Sequence, residues 1–157
     1  MLELTDRIKK AMKANRSFMA YADKKVYIWL NPRFGDVDKR KLFRFAKALA
    51  NVNRKVPIEM VYFKSSIAGE FGSSNLLKNE IYINLAYGKT ITGIIYTLLH
   101  EYSHIDTRQG HTGIWKAKLQ SFYPKTNLSS GEIHGIPLPD FLDRIHKVKR
   151  IVYLNEV

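Results

Sequence analysis

Apolar positions along this chain recur in two rhythms, one helical and one alternating, and their order predicts an α+β architecture. Leu4, Ile8, Ala11 and Met12 repeat at helical spacing, which predicts a first helix over residues 3–14. Residues 26–30 read as a strand stopped by Asn31-Pro32. A second helix is expected from a cap at Asp36 or Asp38 to about Asn51, with Leu42, Phe45, Ala46 and Leu49 turned to the core. Residues 57–63 and 80–85 read as further strands. Between them, residues 64–79 carry Gly69, Gly72, Ser73, Ser74 and Asn75, and read as a loop or an irregular edge strand.

The strongest helical pattern follows. Ile91, Ile94, Ile95, Leu98, Leu99 and Tyr102 share a face, Thr90 or Thr92 is placed to cap the start, and Gly110 is placed to end the helix. Residues 112–123 continue as a helix with Trp115, Leu119 and Phe122 as packing residues. Residues 124–139 read mostly as loop. Phe141, Leu142, Ile145, Val148 and Val152 then fall at helical spacing, predicting a last helix after Pro139-Asp140. The expectation is one domain over residues 1–157, a small mixed sheet packed on the 90–110 helix with flanking helices.

That helix carries His100-Glu101-Tyr102-Ser103-His104, the pattern H-E-x-x-H. Residues four apart stack on one helix face, so both imidazoles can reach one ion. Zinc lowers the pKa of bound water from 15.7 to roughly 7, and a neighbouring carboxylate, here Glu101, can take the proton. The His pair lies beside the apolar stripe, at the border of buried and open surface. Two surface histidines on a core helix would be the plain alternative. A catalytic zinc takes three protein ligands and keeps one open position. His111, after Gly110, is the first candidate for the third ligand, followed by Glu132, His134 and Asp106. His146 lies in a basic stretch and reads as a surface residue. A developing oxyanion also needs a donor, and Tyr123, His134, Tyr153 and Arg108 are all open for that role.

Ile81-Tyr82-Ile83-Asn84, then His100 to His104, then Gly110-His111-Thr112-Gly113-Ile114-Trp115 resemble the SprT-like zinc metallopeptidases, with a layout similar to the WLM metallopeptidases. The resemblance covers roughly residues 26–119, and the motifs lie in residues 80–119. It implies a minimal zincin-like fold, Zn2+ held by His100, His104 and His111, and Glu101 as general base. It also implies that a protein substrate adds as an extended strand along a sheet edge above the metal; residues 67–71 are the candidate for that edge, with a plain surface loop as the alternative. The gap between the second and third His is shorter than in many members. These 157 residues hold no cysteine, so a Cys-type zinc ribbon, which often follows such a domain, is not expected within them.

Composition adds two things. No apolar run approaches the ~20 residues of a membrane span, and the charged N-terminus lacks the apolar core of a signal peptide, so a cytoplasmic protein is expected. The 26 basic and 14 acidic residues give a formal charge of +12, and the excess is uneven. Residues 1–55 hold 15 Lys or Arg against 5 Asp or Glu. Lys39, Arg40, Lys41, Arg44 and Lys47 lie in a stretch free of acids, which predicts contact with DNA phosphates or, alternatively, a solvated helix face. The resemblance strengthens the first, because SprT-like proteases include enzymes that cut proteins on DNA. Two functions therefore stand: a zinc-dependent metalloendopeptidase acting on DNA-associated proteins, and a basic nucleic-acid-binding module on a non-catalytic zincin scaffold. Glu101 separates them, since a degenerate protease usually loses its base or a ligand.

Overall fold

The computed structural model describes residues 4–22, 24–32, 39–52, 60–64, 71–85, 90–128, 138–139, 142 and 150–156. In chain order these form α1 (Leu4–Lys13), β1 (Phe18–Ala22), β2 (Lys25–Trp29), α2 (Lys39–Val52), β3 (Met60–Lys64), β4 (Gly72–Asn75), β5 (Glu80–Asn84), α3 (Ile91–Thr107), α4 (Gly113–Ser121) and β6 (Arg150–Tyr153), closed by a 3-10 turn at Leu154–Glu156. The α+β class is as expected: the described residues form four helices and a six-stranded mixed sheet in the order β4-β5-β3-β1-β2-β6. β1 pairs antiparallel with β2 and β3, β4 antiparallel with β5, and the pairs β3–β5 and β2–β6 are parallel.

Side chains alternate across the sheet, and both faces are covered. Met19, Val61, Phe63, Ile81 and Ile83 pack on α2 and α3 through Phe45, Leu49, Ile95, Leu98 and Leu99. Phe45 meets Phe63 edge to face with centroids 5.5 Å apart. The opposite face presents Phe18, Ala20, Met60 and Tyr62 to Ala11 of α1. The four expected core positions of α2 (Leu42, Phe45, Ala46 and Leu49) are all buried.

Three elements depart from the sequence reading. β1 received no element, because Phe18-Met19-Ala20 is buried on both faces and shows no polar alternation. Arg150–Tyr153, the end of the expected last helix, is a strand, with Ile151 in register opposite Val26, while residues 140, 141 and 143–149 of that expected helix lie outside the described residues. Val152 fitted the helical spacing of Phe141 and Leu142, and pairing with β2 overrides that local pattern. α3 ends at Thr107 and not at Gly110, because Arg108 adopts the left-handed cap with φ 57°. Of the candidate edge, Phe71 alone lies within the described residues; the strand at that edge is β4, immediately after it. Among the described residues no helix is long and apolar enough to cross a membrane.

Candidate metal centre

α3 starts where Thr90 accepts a hydrogen bond from the Gly93 amide through its side-chain oxygen, at 3.1 Å. Ile95, Leu98, Leu99 and Ile105 are buried, which turns His100 and His104 to the border of the core. The Arg108 cap then reverses the chain. Thr112 caps α4 and accepts a hydrogen bond from the Trp115 amide at 3.4 Å, so His111 sits on the turn between the two helices.

The turn brings His111 to the other two. One nitrogen from each of His100, His104 and His111 lies within 4.8 Å of the others, close enough to bind a metal ion. The Nε2 atoms of His100 and His111 are 3.4 Å apart. Two nitrogens held tetrahedrally at a zinc distance of about 2.05 Å stand about 3.3 Å apart, so this pair fits such an ion. The His104 Nδ1 hydrogen donates to the Gln109 carbonyl oxygen at 2.8 Å. A carbonyl only accepts, so that bond fixes the tautomer and leaves the Nε2 lone pair for a metal.

Trp115 holds the cluster from beneath. Its ring centroid lies 4.7 Å from His100, 4.9 Å from His104 and 4.5 Å from His111. Its indole N–H donates to the His100 carbonyl oxygen at 3.2 Å. The sequence marked Trp115 as a packing residue; the structure makes it the common neighbour of all three imidazoles.

Burial, with smaller contributions from His104 and His111, pushes the His100 pKa down to about 4. His100 is therefore neutral at pH 7, the form that ligates metals. Its 3.8 Å approach to Glu101 Oε2 is not an ion pair at that pH. Glu101 is buried on the same helix. Beside it β4 comes very close to α3, with Gly72 facing Thr97 and Glu101. The strand, the three histidines, Glu101 and Arg108 line a single cavity of about 570 Å³.

The remaining candidates fall as follows. Asp106 stays outside the cluster, accepting from the Tyr102 hydroxyl at 3.5 Å and pairing with Lys118 at 3.5 Å. Glu132, His134 and His146 lie outside the described residues. Arg108 reaches the cavity and ties its wall, donating to the Leu76 carbonyl oxygen and, at 3.1 Å, to Asn79 Oδ1. Tyr123 is buried behind Tyr96, with centroids 5.9 Å apart, and Tyr153 sits on β6 at the far edge of the sheet. On α2, Arg40 and Arg44 are exposed, Lys41 and Lys47 are half-buried, and Lys39 opens the helix. Comparison of the chain with family models, curated proteins and solved structures gave no match.

Proposed function

We propose that this chain is a zinc-dependent metalloendopeptidase of the SprT-like kind, with His100, His104 and His111 as ligands and Glu101 as general base. The observation that carries the reading is the convergence of three imidazole nitrogens within 4.8 Å, with a buried carboxylate 3.8 Å from one of them. Zinc is the favoured ion because an all-imidazole set of three with an open fourth position suits it. When bound, it supplies a Lewis acid that polarises a carbonyl and acidifies water.

The chain's own groups divide the rest of the work. His104 is oriented by Gln109 and His100 by its place over Trp115. Glu101 takes a proton from water during attack on the peptide carbonyl and hands it to the leaving amine. β4 pairs with β5 alone among the described residues, so its other side offers backbone groups to an extended peptide. That strand forms a wall of the same cavity, which sets a peptide beside the histidines. Arg108 is the cation nearest in kind to an oxyanion donor there.

The test is Glu101→Gln. The amide keeps the size and loses the proton acceptor, so the variant should retain zinc and fold while proteolysis of an unfolded protein substrate falls by roughly 10²–10⁴. Equal cleavage by both proteins would remove Glu101 from the role. A non-catalytic scaffold would need no such carboxylate in the cavity. Contact of α2 with DNA is a separate proposal, supported by the exposure of Arg40 and Arg44 on a helix face without acids.

A further inference from the structure

The positive charge of the first third is not confined to α2. Arg7, Lys10 and Arg16, from α1 and the segment after it, join Lys78 of the β4–β5 turn around a cleft of about 400 Å³. The cleft lies on the α1 face of the sheet, opposite α2 and α3. Tyr62 and Tyr82 lie side by side in its lining, paired across β3 and β5, with centroids 5.4 Å apart and planes within 24°. The Arg16 guanidinium carbon stands 3.7 Å from the Tyr62 centroid and 5.7 Å from that of Tyr82.

Glu80 is the one carboxylate in the described lining, and it is already satisfied. Arg7 Nη2 meets its Oε2 at 3.2 Å and the Tyr82 hydroxyl donates to its Oε1 at 3.2 Å. With that pair neutral, Lys10, Arg16 and Lys78 leave the cleft cationic. A volume of this size falls within the roughly 300–1,000 Å³ of small-molecule pockets. Ammonium and guanidinium groups pair with phosphate, and flat rings stack on tyrosine and on arginine planes. The two features together select a ligand that is both anionic and planar.

We propose that this cleft binds a nucleoside phosphate, either free or as one unit of a single strand. Lys10, Arg16 and Lys78 supply the cations, and Tyr82 with Arg16 supplies the stacking surface. The site shares no residue with the metal centre, and its occupancy does not depend on peptidase activity.

The test is a calorimetric titration of the full chain at low salt with adenosine monophosphate, with a short thymidine oligonucleotide in a second arm and inorganic phosphate in a third. The expected result is saturable binding at one site per chain. It should weaken at least about tenfold in the double variant Lys10→Gln, Lys78→Gln, and stay unchanged in Lys24→Gln, Lys116→Gln, two exposed lysines away from the cleft and from α2. All four substituted positions are exposed, and circular dichroism confirms that each variant is folded. Tighter binding of the oligonucleotide, with the same sensitivity to the first variant, identifies a single strand as the source. Equal or tighter binding of the mononucleotide identifies a free nucleotide. The proposal is overturned if neither ligand binds, if the Lys10 and Lys78 changes leave binding intact, or if inorganic phosphate binds as tightly as the nucleotide.

Discussion

Gly72 on β4 and Thr97 on α3 approach so closely that no side chain fits between strand and helix. A Cβ at residue 72 would stand 3.4 Å from Glu101 Cγ, 2.9 Å from the Tyr82 carbonyl oxygen and 2.5 Å from Thr97 Cγ2. The second of these is backbone of the neighbouring strand and has little room to yield. The edge strand and the helix that carries the candidate base are thus set against each other by the absence of a side chain.

Gly72→Ala should therefore push β4 away from α3. A destabilisation of about 1–3 kcal/mol is expected, the usual cost of overpacking. Zinc affinity should change little, because the three atoms nearest a Cβ at residue 72 belong to Thr97, Tyr82 and Glu101 and not to a histidine, whereas cleavage of a protein substrate should fall. Thermal unfolding and a chelator competition separate the two effects. A variant with wild-type melting behaviour and activity would show that the close approach has no consequence.

Trp115→Phe keeps an aromatic ring beneath the histidines and removes the indole N–H bonded to the His100 carbonyl oxygen. Supports of this kind around a metal typically affect affinity by about 10–100-fold when lost. The lower end, about tenfold, is expected here, since the ring packing is partly preserved. Competition with a fluorescent zinc chelator measures it. An unchanged affinity would make Trp115 a packing residue and nothing more.

The basic face of α2 makes a prediction of its own. Arg40→Glu with Arg44→Glu should weaken binding to duplex DNA, and the log–log salt slope should fall by roughly 0.9 for each phosphate contact removed. Filter binding at several salt concentrations reads both. No binding by the wild type at low salt, or the same slope in the variant, would leave the charge of α2 as a solvated surface.

Much of the site was legible because its residues are close in sequence. His100, Glu101 and His104 are placed by helical spacing alone, and Gly110-His111 lies within one turn of the same helix end. The reversal at that end was legible in position and not in cause: Arg108 takes the left-handed cap that Gly110 was expected to provide. A non-glycine residue with φ 57° carries no mark in a sequence. The sheet was harder to read. Phe18-Met19-Ala20 lacks alternation because neighbours cover both of its faces, and Arg150–Tyr153 becomes a strand only through a partner more than a hundred residues earlier. Gly72 was visible as a glycine in a doubtful segment, but its close approach to Thr97 on α3 exists only once β4 pairs with β5. The cleft beneath α1 was invisible for the same reason, since Arg16, Lys78 and the two tyrosines meet only in the folded chain.

His111, on the turn after α3, brings a third imidazole to the pair that His100 and His104 form on the helix, close enough for all three to bind one metal ion. The most direct measurement is the zinc content of the wild type and of His111→Ala, taken by elemental analysis after dialysis against a weak chelator. About one zinc per chain is expected for the wild type and a strong loss for the variant, because two imidazoles hold the ion far less well than three. A wild type that retains no zinc after loading, or a variant that keeps its zinc as tightly as the wild type, would remove His111 from the ligand set.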